Sequence, residues 1–376
     1  MKPIFKTIAA AAMLACAAPA FAGGIVVAEK DQSKLKLEAL FYLNTYSQKA
    51  DTSTVAGTTS TKTVGLHVDR AYFTAKYYFN DDWMMRFTTD VGNEAALGKD
   101  QNVYLKYAYV EGKLAGDAAV LRMGQSHTPW IDYEQGLWGH RYASKVISDQ
   151  YKFDDSSDLG LGLKGKLADG MAHYFVTATN GSGYGKGVAT NGIDFNSRVG
   201  FEPIDGLTLD FGYRTGTRGT KTHVNNVSTA GVKSTLTQIM ATYGVGKDFR
   251  VGANYLSNKD KADSATASTT HGGNVSSGYA TAAIGDQVKS TAYSLWAWGK
   301  FNGNMGAFAR YETLNNKMAG LTDEKITRFM GGVEYNPIKN VTFALVGDNS
   351  KLTNRGGAAA NGRKDTRFGL YSQIKL

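Results

Sequence analysis

The sequence predicts an all-β fold: a 16-stranded antiparallel transmembrane β-barrel with short periplasmic turns, long outer loops and an inward-folded third loop. Three observations support this prediction. Segments of about 10 residues alternate apolar and polar side chains, and this is the length that crosses a bilayer when the strand is tilted. Short turns and long polar connections alternate along the chain. The composition is rich in glycine and tyrosine, with 44 Gly and 21 Tyr, and has only 5 Pro.

The first 22 residues have the features of a secretory signal peptide. Lys2 and Lys6 supply its positive start, and the apolar run that follows is too short to span a bilayer as a helix. Ala20-Phe21-Ala22 fits the small-x-small cleavage rule, so we expect the mature chain to begin at Gly23. The single cysteine, Cys16, lies inside this signal, which leaves the mature chain without disulfide or thiolate chemistry. Met13 to Cys16 weakly resembles a lipoprotein box, and lipidation is the alternative.

The formal net charge of the chain is +9, which includes the two lysines of the signal. A basic chain could indicate nucleic-acid binding, but the export signal and the absence of a Lys/Arg block argue against that partner. Beyond the signal no apolar run reaches 18 residues, so no transmembrane helix is predicted.

Strands and turns are predicted over residues 34–376, after a short periplasmic segment at 23–33. Trp83 to Val91 illustrates the strand pattern, because its apolar and polar side chains alternate with period 2. Seven short breaks use Gly, Asn, Asp or Pro, which tolerate turn dihedrals; they lie at 80–82, 114–117, 168–170, 203–206, 246–248, 302–304 and 336–340. Eight longer polar stretches separate them, at 48–64, 93–101, 126–157, 180–193, 215–234, 257–289, 315–325 and 349–365.

Seven short turns and eight long loops connect sixteen strands, with both termini on the side of the short turns. This is the layout of an outer-membrane barrel. Hydrocarbon leaves no partner for an open sheet edge, so the sheet must close, and sixteen strands leave a water-filled channel. Asp69-Arg70 interrupts the alternation of the second strand and predicts a β-bulge.

The last segment, RFGLYSQIKL, alternates apolar and polar residues to the C-terminus. It resembles the assembly signal of bacterial outer-membrane proteins, although those usually end in Phe and this chain ends in Leu376. The resemblance implies recognition by the barrel-assembly machinery.

The third loop, at about 126–157, has an unusual composition. It contains the stretch HTPWIDYEQGLWGHRY and is dense in apolar side chains, whereas the other long loops are rich in Thr, Ser, Gly, Asn and Ala. Apolar side chains at this density do not remain in water. We therefore expect this loop to fold into the lumen and pack on the barrel wall.

Sixteen strands with a long third loop resemble the general porin family, in which that loop folds inward and narrows the pore. LRMGQ at 121–125, followed by Thr128-Pro129-Trp130, resembles the phosphate-selective porin O/P-like group. The resemblance implies an outer-membrane, homotrimeric channel for small hydrophilic solutes. A lysine-rich cluster for phosphate capture is not evident in the loops.

Charged residues of the third loop and inward arginines of the strands are the candidate pore residues. Rings of charge set the ion preference of a pore, and the inward side chains are predominantly positive, which predicts a weak anion preference. The constriction candidates are His127, Trp130, Asp132, Glu134, His140, Arg141 and Lys145, and Asp149 and Lys152 are further charges of the same loop. The wall candidates are Arg86, Arg122, Arg198, Arg214, Arg250, Arg310 and Arg328, and Arg367 is a further arginine predicted to face inward.

Catalysis and metal binding are not predicted. GSGYGKG at 181–187 lacks the spacing of a phosphate-binding loop, no nucleophile–base motif is present, and the histidines lack metal-ligand spacing. No cofactor is expected. Two other functions stay open: a substrate-specific channel for phosphate or another small anion, and a non-conducting barrel that serves as an adhesin, receptor or scaffold.

Overall fold

The computed structural model describes residues 24–30, 32–94, 99–184, 193–218, 222–224, 227–229, 232–261, 287–355 and 358–376. The predicted signal peptide and Cys16 lie outside the described residues, as does most of the predicted sixth outer loop. Throughout the described chain, the strands alternate between inward and outward side chains. In the strand Met305–Met318, for example, Tyr311 is 46% exposed on the outer surface, whereas its neighbours Arg310 and Glu312 are buried inside.

Sixteen of the strands close into one antiparallel barrel, as the sequence predicts. Each pairs with the next along the chain, and the last pairs with the first through partners such as Lys375↔Leu40. The barrel strands are β2 Ser33–Thr54, β3 Gly57–Tyr78, β4 Trp83–Glu94, β5 Lys99–Ala115, β6 Ala119–His127, β7 Ser157–Leu167, β8 Ala172–Thr179, β9 Asp194–Ile204, β10 Leu207–Arg218, β13 Val232–Val245, β14 Phe249–Lys261, β15 Gln287–Lys300, β16 Met305–Met318, β17 Glu324–Ile338, β18 Val341–Thr353 and β19 Gly362–Lys375.

Three short strands and two short helices complete the described elements. They are β1 Ile25–Lys30, β11 Thr222–Val224, β12 Val227–Thr229, α1 Ile131–Trp138 and α2 Ile147–Gln150. β11 and β12 form a separate hairpin in the fifth outer connection. β1 pairs with β2 from Ile25↔Leu37 to Lys30↔Ser33, beyond the point where β19 ends. β1 therefore pairs with the beginning of β2, which lies beyond the last residue of β19 and has no partner from that strand.

Each of the seven predicted short turns coincides with a connection between consecutive strands, although the preceding strand extends into the ranges 114–117, 203–206 and 336–340. One connection contains a 3₁₀ turn at Ala168–Gly170. The first predicted outer loop, 48–64, is wrong. β2 continues to Thr54 and β3 begins at Gly57, so this tract is a hairpin with a two-residue connection. Its Thr, Ser and Lys residues suggested a loop, but a ladder needs only backbone groups and tolerates polar side chains where both faces meet water.

Candidate functional site

The connection between β6 and β7, residues 128–156, lies inside the barrel; we call it the inner segment. Trp138, Tyr142 and Val146 are buried in a cluster with Trp296 and Phe308 of the wall. A second cluster joins Ile147, Tyr151 and Phe153 to Leu236, Leu256, Ala292, Leu314 and Ile326. The inward faces of β13 to β19 are thus locally apolar where the segment covers them. This contact removes from water the apolar side chains in which the segment is unusually rich.

The helix α1 ends where its chain must turn back along the wall. Gly139 adopts the left-handed conformation with φ 73°, and its N–H donates to the carbonyl of Gln135. This is the usual glycine cap of a helix C-terminus. The turn places Trp138 edge-on to both Trp296 and Phe308, with ring centroids 5.7 Å from each. Edge-to-face contacts of this kind favour one orientation of the packed rings.

Buried charges fasten the inner segment to the wall. Arg310 donates to the hydroxyl of Ser144 at 2.6 Å and to the carbonyl of Lys145 at 2.5 Å, while its Nε lies 3.0 Å from Glu312. On the opposite side, Arg198 donates to the carbonyl of Pro129 at 2.8 Å and pairs with Asp210 at 2.8 Å. A buried guanidinium needs such partners, because an unpaired buried charge is costly.

A carboxylate of β17 forms a third attachment. Glu334 accepts a hydrogen bond from the hydroxyl of Tyr142 at 2.9 Å and lies 3.2 Å from Nε2 of His140. Both loop residues are buried. The three attachments lie at the beginning and middle of the segment, so its path across the lumen is held by polar as well as apolar contacts.

Two chambers flank the inner segment. The upper chamber, about 770 Å³, lies toward the long outer connections and includes Arg355 and Arg363 at its rim. The lower chamber, about 330 Å³, lies toward the chain termini and includes Gly24 and Leu376. Tyr42 and Arg141 line both, so the two chambers adjoin at this pair.

Positive side chains dominate the upper chamber. Eight Arg or Lys residues line it and only three Asp residues do. The cations are Arg70, Arg141, Lys145, Lys152, Arg328, Arg355, Arg363 and Arg367, and the acids are Asp69, Asp348 and Asp365. Arg328 binds Asp348 through two hydrogen bonds of 2.8 and 2.7 Å. Even with such pairs, the lining has an excess of positive charge.

A β-bulge shapes one wall of the upper chamber. Tyr42 pairs with Arg70 and Leu43 pairs with Val68, so Asp69 is the extra residue in β3. The bulge predicted from the interrupted alternation is confirmed. As a result, the adjacent Asp69 and Arg70 both line the upper chamber, which a regular strand would not allow.

The bulge presents Arg70 to a fixed acceptor. Its Nη1 lies 2.9 Å from Asp90 and 2.6 Å from the hydroxyl of Tyr104, and that hydroxyl donates to Asp90 at 2.6 Å. Asp90 is fully buried. The guanidinium is therefore held at the edge of the chamber rather than free to swing across it.

One acid of the inner segment is shared between two cations at the junction of the chambers. Asp149 lies 3.2 Å from the amine of Lys145 and 3.6 Å from the guanidinium of Arg141. Burial lowers the pKa of Lys145 to about 7, although Asp149 opposes that shift. The pKa of Asp149 falls because Lys145 and Arg141 outweigh the effect of its own burial. The carboxylate stays ionised at neutral pH, and the amine titrates there.

His127 organises the lower chamber. Its Nε2 lies 2.7 Å from Asp132, and its ring stacks on Tyr107 with centroids 4.0 Å apart. Arg86 lies over the same tyrosine, 4.6 Å from the ring centroid, and also approaches Nε2 of His127 at 3.4 Å. These side chains form a compact wall on the side of the termini.

The residues predicted from the sequence fall into two groups. Arg141, Lys145 and Arg328 line the upper chamber, and Arg86, His127, Asp132 and Arg141 line the lower one. The remaining loop candidates are buried against the wall: Trp130, Glu134 and His140.

The remaining wall arginines also have partners. Arg198, Arg214 and Arg310 are buried. Arg122 pairs with Glu111 at 2.5 Å, and Arg250 donates to the hydroxyl of Thr242 at 3.0 Å. Of these five, Arg198 and Arg310 hold the inner segment to the wall, whereas Arg122, Arg214 and Arg250 have partners within the wall.

Three cations of the upper chamber were not among the sequence candidates: Arg70, Arg355 and Arg363. Lys152 and Arg367, which the sequence did indicate, also line this chamber. The interrupted alternation predicts an unusual position for Arg70. Arg363 shares the inward face of β19 with Arg367 and Tyr371. No comparable signal marks Arg355, because it lies in a connection.

Within the described residues, no group of three or more His, Cys, Asp or Glu side chains is placed to hold a metal ion. The described helices are also all too short or too polar to cross a membrane.

The fold is similar to that of solved bacterial outer-membrane channels. The channel DcaP of Acinetobacter baumannii is 12% identical, with a TM-score of 0.63 over 94% of this chain and 100% of that one. An anion-selective porin from Comamonas acidovorans is 13% identical, with a TM-score of 0.62 over 92% and 100%. The trimer form of OmpT from Vibrio cholerae is 14% identical, with a TM-score of 0.56 over 92% and 100%. No protein-family model matches the chain, and no curated protein matches it.

Proposed function

We propose that this chain is an outer-membrane porin of a Gram-negative bacterium, which lets small hydrophilic solutes and ions diffuse passively through a water-filled pore. The inner segment narrows that pore, and transport has a weak preference for anions. The observation that carries the proposal is the lining of the upper chamber, in which eight cations face three acids. A lining of one sign raises the local concentration of counter-ions and lowers that of co-ions.

The closed barrel supports the membrane placement. Its outward faces carry large exposed apolar side chains, among them Phe211, Phe329 and Leu345, which belong in hydrocarbon rather than in water. Similarity to known outer-membrane channels supports the same placement. Association into a homotrimer, as in the trimer form of the Vibrio cholerae protein, and assembly through the C-terminal strand β19 are parts of this proposal.

A phosphate-specific channel is the second candidate, and the same excess of Arg and Lys in the upper chamber favours it. Paired guanidinium groups suit phosphate oxygens, because their N–H donors form a fixed fork. In the diffusive pore these cations only enrich anions. In the specific channel they bind phosphate long enough to interrupt the current.

Planar-bilayer recording of the refolded mature protein distinguishes these functions. In symmetrical KCl we expect steps of steady conductance. Added phosphate should change the size of these steps only through its own contribution to the current, and it should not close the channel. Concentration-dependent block by phosphate, and not by sulfate, would favour the specific channel. A folded barrel that gives no conductance would contradict both and favour the adhesin or scaffold alternative.

A further inference from the structure

A patch of lysines lies on the outer face of the barrel at the end of the long connections. We call Lys49, Lys62, Lys325, Lys351 and Lys364 the lysine patch. Antiparallel partners share a face of the sheet, and faces alternate along each strand. Lys49, Lys351 and Lys364 therefore face outward with the exposed apolar residues of their own strands, Leu43, Leu345 and Phe368. All five lysines are exposed.

The lysine patch lies directly above the apolar band of five neighbouring strands. In β3, Val64 and Leu66 follow Lys62 on the same face and are 79% and 86% exposed. In β19, Phe368 lies four residues after Lys364 and is 61% exposed. A basic cluster at the edge of an outward apolar surface therefore spans β17, β18, β19, β2 and β3.

Four of these lysines stand in like-charge pairs. Lys351 is the direct cross-strand partner of Lys364, and Lys49 is the direct partner of Lys62. Like charges placed opposite one another destabilise a sheet. The acid between the pairs, Asp51, is the cross-strand partner of Lys364 and lies 2.9 Å from Lys49. One acid does not neutralise four lysines, so an anion of more than one charge would relieve the repulsion.

We propose that the lysine patch binds the headgroup of a membrane lipid that carries two phosphate groups, with its acyl chains on the apolar residues below. Each phosphate would lie beside one of the like-charge pairs, where lysine amines act as point charges. The same outward face of a second copy would bring no such complement, because it continues from the patch with the exposed, paired residues Lys259, Lys289 and Lys317. The proposal rests on the membrane placement and not on the ion preference of the pore.

The first test measures thermal unfolding of the folded, full-length mature barrel in a neutral detergent, with and without diphosphoryl lipid A. The lipid should raise the unfolding temperature of the wild type. The variant K351Q/K364Q should unfold at a higher temperature than the wild type when lipid is absent, because the repulsion is gone, and it should gain less from the lipid. The matched control, K247Q/K339Q, removes two exposed lysines of the short turns and should behave as the wild type.

The second test counts bound lipid by native mass spectrometry. Each lysine beside an anionic surface contributes roughly fivefold to affinity, so K351Q/K364Q and K49Q/K62Q, which each remove two lysines, should bind the diphosphoryl lipid about 25-fold more weakly. Gel mobility of unheated samples verifies that the variants are folded. Removal of both phosphates from the lipid should abolish the difference between the wild type and the variants.

Three outcomes would overturn the proposal. The first is equal binding of diphosphoryl and dephosphorylated lipid by the wild type. The second is stabilisation by free inorganic phosphate equal to that by the lipid, which would make the patch a simple anion site. The third is a change in oligomer mass, rather than in lipid count, when the lysines are replaced, which would make the patch a contact between copies. If the lysine patch does not bind lipid, the conductance of the pore is unaffected. A negative lipid result can therefore be distinguished from failure of the proposed channel function.

Discussion

The hydrogen-bond partners of each inward arginine determine whether its charge faces the pore or holds the inner segment to the wall. Arg310 and Arg328 illustrate this, since both face inward and both approach Glu312. Arg310 is buried and donates to the carbonyl of Lys145. Arg328 also donates to Ser144 of the inner segment at 3.0 Å, but it lines the upper chamber as well, where it is paired with Asp348. Arg141, which lines both chambers, has only a 3.6 Å contact with the shared Asp149, and its charge should act most directly on passing ions.

Replacing Arg141 should weaken the anion preference. A unit charge about 8 Å from a permeating ion changes that ion's energy by about 0.5 kcal/mol in water, which is roughly a factor of two in permeability. The ratio of anion to cation permeability should therefore fall about twofold in R141Q, measured from the reversal potential in a KCl gradient. K247Q, in a turn outside the pore, is the control. An unchanged ratio in R141Q would remove this residue from the selectivity of the pore.

Lys145 should make the selectivity depend on pH. Burial lowers its pKa to about 7, and a lysine is positive below its pKa and neutral above it. The anion preference should thus decrease as the pH rises from about 6 to about 8. In K145R the charge persists throughout this range, so the decrease should be smaller. A pH dependence of the same size in both proteins would assign the titration to another group.

At the level of elements, a bulge and a packed connection shape the lumen. The bulge in β3 places Asp69 beside Arg70 at the upper chamber. The inner segment lies on the inward faces of β13 to β19 through Trp138 and its neighbours. It also meets the wall beside the bulge, because Tyr42 is buried in the same cluster and the amide of Asn44 donates to the carbonyl of Tyr142 at 3.4 Å.

Removal of Asp69 should increase the anion preference. Deleting the extra residue restores a regular ladder and keeps Arg70 opposite Tyr42, while D69N removes the charge and keeps the bulge. Both variants lose one acid from the upper chamber, so both should shift the reversal potential further toward the anion limit. A shift in the deletion alone would show that bulge geometry, and not charge, controls the preference.

Truncation of Trp138 should loosen the inner segment without opening the barrel. Replacing a buried tryptophan with alanine costs roughly 3–5 kcal/mol of packing, and here that loss falls on contacts with Trp296 and Phe308. W138A should show a larger and noisier single-channel conductance, with normal gel mobility of the folded barrel. The control is W83A, because Trp83 is an exposed residue of the outer surface. Quiet channels of wild-type conductance in W138A would mean that this packing does not hold the segment.

Much of the fold was predictable because it depends on local patterns. The turns are marked by residue types, and the strands by alternation. The first outer hairpin was not predictable, since the tract 48–64 has a loop-like composition but forms a continuous ladder. The inward position of Arg198 could be predicted, but its role could not. It pairs with Asp210 and with the carbonyl of Pro129, and only the folded chain shows which inward arginines meet the inner segment.

For the whole molecule, closure of sixteen strands leaves no open edge among them and encloses a lumen that the inner segment divides into two chambers. The cations of the upper chamber come from β3, β17 and β19, from the connection between β18 and β19, and from the inner segment itself, so the positive lining is a property of the assembled barrel. The outward apolar residues and the lysine patch face the lipid. The charges that we propose set the ion preference face the lumen.

The reversal potential of the wild-type channel under a tenfold KCl gradient tests the central claim most directly. With more positive than negative side chains in the upper chamber, chloride should cross more readily than potassium, and the sign of the reversal potential should be that of an anion-preferring pore. A reversal potential of the opposite sign from a steadily conducting barrel would contradict this account, because it would mean that the charges of the upper chamber do not control the permeating ions.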